Sequence, residues 1–358
     1  MLDLSSLGQR MDWLTAPCVN PNQTFAEWAS QRQTQLTKPP QALGDLETLA
    51  IRLAGLQARK QPSLERIHIS IFAGDHGVVA EGISAFPQAV TQQMLVNFLR
   101  GGAAISVLAK SLNAQLEIID TGILEALPAQ TGLVIQRAGA GTANSAHTEA
   151  MTQTQLQQAL EAGSAAAERA SAQQADLFIG GEMGIGNTTA ATVLYCALLQ
   201  LTPDSMTGAG TGLDSIGIAH KTQVVKHILN RHALCAEDAL AWLRCAGGFE
   251  IAALTGAYLR AGQLGLPILL DGFITTAAAV VALQLQPALK DWLFLSHASA
   301  ERGHKQAINR LGLQPLLDLN LRLGEGSGAA LAVPILRQAC LLHNQMATFA
   351  EAAVAGKL

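Results

Sequence analysis

The run Arg322-Leu323-Gly324-Glu325-Gly326-Ser327-Gly328-Ala329-Ala330 places one carboxylate among three glycines, in a chain where only 14% of residues are charged. Glycines on both sides let the backbone approach a ligand closely and take φ > 0. Leu323 and the Ala-Ala-Leu run that follows supply apolar walls able to raise the pKa of the acid. A base poised to take a proton is one reading. The other is a helix start, since an acid just ahead of Ser327 and the apolar segment 329–335 also suits a helix N-terminus. Taken alone, the loop leaves both open.

A second glycine-rich turn, Gly180-Gly181-Glu182-Met183-Gly184-Ile185-Gly186-Asn187-Thr188-Thr189, lies between an apolar run and an alanine-rich stretch. It reads as an anion cradle, with Asn187 or Thr188 capping the helix that follows and the helix N-terminus adding partial positive charge. An ordinary turn with ordinary capping is the plainer alternative, and four glycines exceed what such a turn requires. Glu182 would repel a phosphate, so it is expected to face a sugar, a cationic ring or another part of the site. Downstream, Gly208-Ala209-Gly210-Thr211-Gly212-Leu213-Asp214 is another flexible loop, and Lys221 on the next helix could supply positive charge or simply be solvated there. The spacing fits neither a P-loop nor the G-x-G-x-x-G dinucleotide fingerprint, which disfavours a kinase, an ATPase and an NAD-dependent dehydrogenase.

The remaining polar clusters point away from other chemistries. Asp75 and His76 are adjacent on a loop and diverge, so backbone capping is expected of them. His220, His227 and His232 share one expected helix at spacings that miss the i, i+4 face of a zinc site. His297 and His304 flank Ser299 without the G-x-S-x-G elbow of a hydrolase. Five cysteines, scattered and never as C-x-x-C, read as reduced core thiols and not as a disulfide frame or metal site.

These residues need a scaffold, and the composition describes one. At 358 residues, 49% hydrophobic and only 4% aromatic, the chain is long enough for two domains or one large α/β unit with an appendage, with Ala, Leu, Ile and Val in the interior. Lys+Arg at 23 against Asp+Glu at 27, with no basic run, marks neither a nucleic-acid groove nor an anionic membrane surface and favours small-molecule partners. The apolar stretch 272–285 is too short to span a bilayer, and the first residues lack a signal-peptide pattern, so a cytoplasmic address is expected.

Short apolar runs at 67–73, 116–119, 177–179, 268–270 and 292–295 each close on Gly, Asp, Glu, Ser or His. Segments of helical period separate them at 91–99, 155–172, 188–199, 250–261 and 275–285. This alternation predicts an α/β fold: a Rossmann-like, mostly parallel sheet with helices on both faces and ligands beyond the carboxyl ends of the strands. Residues 61–302 are expected to form that large domain. Residues 1–60 and 303–358, with long helical character through 336–354, are expected to form a small helical domain whose 322–330 loop reaches the site.

Six segments in order carry a resemblance: Phe72-Ala73-Gly74-Asp75-His76-Gly77-Val78-Val79-Ala80-Glu81-Gly82, residues 180–189, residues 207–214, Gly247-Gly248-Phe249-Glu250, Leu269-Leu270-Asp271-Gly272-Phe273 and residues 322–330. Together they resemble the nicotinate-nucleotide–dimethylbenzimidazole phosphoribosyltransferase family. The resemblance implies transfer of the 5-phosphoribosyl group of nicotinate mononucleotide to 5,6-dimethylbenzimidazole, in a homodimer, with neither metal nor cofactor. It makes Glu325 the base, has Glu182 and Lys221 orient the ribosyl phosphate and the nicotinate, and makes Gly184, Gly210 and Ser299 contacts of the bound substrate. Leu323, Phe86 and Met94 fall around the incoming base. The chain departs from relatives where Ala209 replaces an arginine and where Phe86 and Met94 stand in place of Ser and Gln, so its acceptor pocket is expected to be more apolar and open to purines or phenols.

Overall fold

The structure, a computed structural model, describes residues 12–355 except residue 237. Its seven strands, β1 (Ile67–Gly74), β2 (Gln115–Gly122), β3 (Leu133–Ile135), β4 (Leu177–Met183), β5 (Ile268–Leu270), β6 (Leu293–His297) and β7 (Pro315–Leu317), form one sheet in the order β3-β2-β1-β4-β5-β6-β7. Every neighbouring pair is parallel. β1 is buried along its whole length, as a parallel strand covered on both faces must be, which is why it reads as Ile-His-Ile-Ser-Ile-Phe-Ala-Gly and not as an apolar–polar alternation. Its two buried polar side chains are paired. Ser70 donates to Glu117 on β2 at 2.7 Å, His68 lies 3.3 Å from the same carboxylate, and Arg169 clamps it at 2.8 Å.

The helices are α1 (Gln23–Gln35), α2 (Asp45–Gln57), α3 (Ala89–Arg100), α4 (Ala104–Leu112), α5 (Gln153–Ala172), α6 (Asn187–Leu199) and α7 (Pro203–Met206). After them come α8 (Ser215–Arg231), α9 (Ala239–Ala246), α10 (Phe249–Leu264), α11 (Phe273–Leu285), α12 (His304–Leu311) and α13 (Ser327–Gln345). α10 covers β1, β4 and β2 on one face, with α5 against it, while α13 packs over β6, β4 and β7. Adjacent residues of β4 show the two faces: a side chain at Gly180 would run into Leu254 and Tyr258 of α10, one at Gly181 into the backbone of Glu325. α5 and α10 touch backbone to backbone, because Gly163 faces Ala253 and Gly256 faces Leu160 with no room for a Cβ. That contact accounts for the Ala- and Gly-rich, aromatic-poor interior.

The helices nearest the two ends of the described residues pack together. α2 lies against α1 and α13, Arg32 donates to the carbonyls of His343, Asn344 and Met346, and Leu36 bridges Thr348. The tail beyond residue 303 also feeds the sheet, through α12 and β7. The helix expected at 336–354 instead starts nine residues earlier, at the last glycines of the 322–330 loop, and stops at Gln345, where hydrogen bonds to α1 take over. One stretch, Ala89–Leu112, is apolar and long enough to cross a bilayer, yet Gly101 at φ +82° splits it into α3 and α4, which pack on β1 and β2.

Candidate active site

The strand order reverses at β1, which has β2 on one side and β4 on the other, so loops leaving β1 and β4 part and open a crevice beyond their carboxyl ends. A cavity of about 580 Å³ lies there. Glu182 to Gly184 wall it at the end of β4, Asp271 and Gly272 just past β5, His297 and Ser299 at and just past the end of β6, and residues 320–325 ahead of α13.

Glu325 enters this cavity on an unusual backbone. Gly324, Glu325 and Gly326 stand consecutively at φ +85°, +63° and +78°. Glycine adopts such angles freely, whereas the glutamate pays roughly 1–2 kcal/mol for a left-handed conformation. The loop fits because Gly181 beneath it has no side chain: a Cβ there would sit 2.6 Å from the Glu325 carbonyl oxygen. Glu325 is buried, its Oε2 has no hydrogen-bond partner, and burial raises its carboxyl above the ordinary value against a single backbone N–H from Ile105 at the start of α4.

Two further acids surround it. Burial, with the charges of Asp271 and Glu250, pushes Glu182 up to about 8, although Asn187 donates a short hydrogen bond to its Oε2. Burial also pushes Asp271 up to about 7, against hydrogen bonds from the amides of Ala329 at 2.8 Å and Gly326 at 3.2 Å. Deeper, His76 Nε2 lies 2.5 Å from Glu250 Oε1, both fully buried directly behind Gly184. Burial opposes the charging of His76, but Glu250 holds its imidazole above the ordinary value.

The opposite wall carries the positive charge. Lys221 on α8 is 1% exposed, and its ammonium donates to Thr188 Oγ1 at 2.6 Å, with no ion pair to a carboxylate among the described residues. Burial lowers its pKa to about 8. It lies one atom layer behind the cavity surface, since a Cβ on Gly210 would be 3.1 Å from Nζ. Arg322 donates to the Gly210 carbonyl at 3.2 Å and Glu301 accepts from the Gly210 amide, so the 207–214 loop is tied to both neighbouring loops. Phe86, Val90, Met94 and Leu323 form an apolar flank, where Phe86 and Leu323 remain 50% and 60% exposed. Among the described residues no group of three or more His, Cys, Asp or Glu side chains is arranged to hold a metal ion.

The phosphoribosyltransferase family model DBI_PRT matches residues 18–354. The chain belongs to this family. The phosphoribosyltransferase is 56% identical over 345 residues to the nicotinate-nucleotide–dimethylbenzimidazole phosphoribosyltransferase of Pseudomonas putida KT2440, covering 96% of this chain and 98% of that one. It is also 56% identical over 346 residues to the protein of the same name from Ectopseudomonas mendocina ymp, covering 97% and 99%. The crystal structure of the protein of that name from Thermus thermophilus superposes with a TM-score of 0.89 at 46% identity, covering 94% of this chain and all of the other. The structure of CobT from the same organism superposes with a TM-score of 0.90 at 47% identity, covering 93% and 100%.

Of the residues singled out in the phosphoribosyltransferase sequence, Glu325, Glu182, Gly184, Gly210, Leu323, Phe86, Met94 and Ser299 all line the cavity, and Lys221 stands just behind it. Other expectations need correction. Helix α6 is preceded by Gly186 with no side-chain cap, so Asn187 is free to hold Glu182 and Thr188 to receive Lys221. The acid serving the N-terminus of α13 is Asp271 from another element, not Glu325. Asp75 does cap backbone, accepting from Leu124 N at 2.7 Å, but His76 turns inward to Glu250. Sequence reasoning placed His297 at a strand end without giving it a role and missed Glu301 and Asn320 as wall residues, whose only signal was their position a few residues past strand ends.

Proposed function

We propose that this phosphoribosyltransferase moves the 5-phosphoribosyl group from nicotinate mononucleotide to 5,6-dimethylbenzimidazole or a related base, giving α-ribazole 5′-phosphate and nicotinate for the lower ligand of cobalamin. The observation that carries the reading is Glu325: a buried carboxylate with one unpartnered oxygen, on a cavity of about 580 Å³ at the switch point of the sheet.

The unprotonated nitrogen of the benzimidazole attacks the anomeric carbon. The C–N bond to the pyridinium breaks with its electron pair going to nicotinate, which leaves as a neutral ring nitrogen and needs no proton. As the new bond forms, the other benzimidazole N–H turns acidic, and Glu325 takes that proton. Attack opposite the leaving ring inverts the anomeric centre from β to α without a covalent intermediate. The Lys221 ammonium, hydrogen-bonded to Thr188 and near the charge of Glu301 but in no ion pair among the described residues, supplies positive charge for an anionic group of the mononucleotide, and Gly184, Gly210 and Ser299 contact the same substrate. The apolar flank of Phe86, Met94 and Leu323 holds the acceptor ring. The exposed faces of Phe86 and Leu323 at the mouth fit a second copy of the chain closing over it, a homodimer that sedimentation would detect.

Nicotinate release from the mononucleotide, measured with and without a panel of benzimidazoles, purines and phenols, tests the reading. Release should depend on the acceptor and be strongest with benzimidazoles. Release at the same rate without any acceptor would mean that the chain is a hydrolase.

A further inference from the structure

We infer that Asp271 is the positioning residue for Glu325, its carboxylate gripping the start of α13 and so holding the base in its left-handed pose. This deepens the proposed function and rests on the reading of Glu325 as the base.

The first amides of any α-helix have no partner within the helix, and here Gly326 at the N-cap offers no side chain to satisfy them. Asp271, at the end of a strand in the middle of the sheet, does it from outside. Its Oδ2 accepts from Gly326 N at 3.2 Å and its Oδ1 from Ala329 N at 2.8 Å. The grip therefore begins at the residue next to Glu325. Asp271 is itself anchored, since Ser296 on β6 donates to its carbonyl at 3.1 Å. The first turn of α13 is pressed onto the same strand end, because Gly328 abuts the His297 ring with no room for a Cβ. Within the loop, Ser327 donates through both N and Oγ to the Gly324 carbonyl, which closes the turn without fastening it to the sheet. Fastening falls to Asp271. A side chain buried at the floor of the cavity thus sets the backbone from which the carboxylate of another element reaches out, while the Ile105 amide meets the carboxyl group itself.

Asp271→Asn keeps the shape but exchanges one acceptor oxygen for an NH₂ group that faces an N–H donor. The measurement is steady-state transfer by Asp271→Asn, Glu325→Gln and the double variant. Asp271→Asn should lower kcat by about 10- to 100-fold, as expected when a reacting group is misplaced by a fraction of an ångström, while changing the KM for nicotinate mononucleotide by less than about 3-fold. In the Glu325→Gln background the same change should cost less than about 2-fold, because a positioning role has nothing left to position. An equal loss in both backgrounds, or no loss in the single variant, overturns the inference. Full activity of Glu325→Gln overturns the base reading itself, so the two failures are told apart. Should Asp271→Asn not fold, amide hydrogen exchange of the unaltered protein decides: Gly326 and Ala329 should be protected, and exchange as fast as at exposed Leu323 overturns the grip.

Discussion

A carboxylate serves as a base when its affinity for a proton is raised and one of its oxygens is free to receive it, and burial with Oε2 unpartnered among the described residues gives Glu325 both properties. Glu325→Gln should fold, bind nicotinate mononucleotide and lose on the order of 10²–10⁴ in kcat, measured by nicotinate release with the benzimidazole acceptor; near-normal turnover would remove it as the base. In the unaltered protein, kcat/KM should climb with pH through a value raised above that of a free glutamate, as Glu325 ionises. It should fall again above about 8, as the Lys221 ammonium is lost. Lys221→Met, which keeps the volume but not the charge, should abolish that second limb and raise the KM for the mononucleotide about tenfold or more with kcat less affected. At this scale the sequence was informative wherever chemistry needs an odd residue in an odd place: an acid among glycines, or a lysine beside a flexible loop. It was silent on pairings. Nothing in the primary structure joins Asp271 to Gly326, 55 residues away, or His76 to Glu250, 174 residues away, because only the closed sheet brings them into contact.

β4 carries two adjacent glycines with opposite duties, which separates an element's contribution to stability from its contribution to the site. At Gly180 a Cβ would collide with Leu254 and Tyr258 of α10, inside the core; at Gly181 it would collide with the Glu325 backbone. Gly180→Ala should cost roughly 1–3 kcal/mol of stability, as overpacking does, and leave kcat within a few-fold. Gly181→Ala should push the base loop outward and lower kcat by at least about tenfold for a comparable or smaller stability loss. Thermal unfolding and turnover of the two variants check the split, and equal effects on turnover would contradict it. The five long or central strands were legible because buried parallel strands are unbroken apolar runs ending in small polar residues. β3 and β7 were not, since three residues at either edge of the sheet, one of them Pro315, are held by register with a neighbour and not by their own pattern. The start of α13 at Ser327 was one of the two readings that the glycine-flanked acid left open, but its capping was hidden for a related reason: its first amides are satisfied by Asp271 just past β5, so the local sequence carries no capping side chain.

Gathering several acids at one strand-end crevice also shapes the stability of the whole molecule. Glu182 and Asp271 bind protons more tightly folded than unfolded, with folded values near 8 and 7, so what they contribute is fully present below their unfolded values and is lost as pH rises through the folded ones. Other groups act elsewhere on the scale. Burial works against Glu117, but hydrogen bonds from His68, Arg169 and Ser70 pull it down to about 2, so its contribution is lost only as pH falls toward that value. His297 and His304, pulled down by burial to about 4 and about 3, favour the fold increasingly as pH rises toward 6.5 and are neutral beyond it. Lys221, lowered to about 8, adds stability only as pH climbs above 8. Between roughly pH 6.5 and 8 the acids therefore dominate, joined in the same direction by His76, which Glu250 holds above its ordinary value, and the ligand-free protein should lose on the order of 1–2 kcal/mol there, a fall of a few degrees in Tm. Glu182→Gln removes the largest of these shifts, so calorimetry should find its Tm flatter over that window and higher than that of the unaltered protein at pH 8, while transfer activity drops. A parent Tm that holds level or rises from pH 6.5 to 8 would mean that the crevice acids ionise freely, and that burial does not hold their protons.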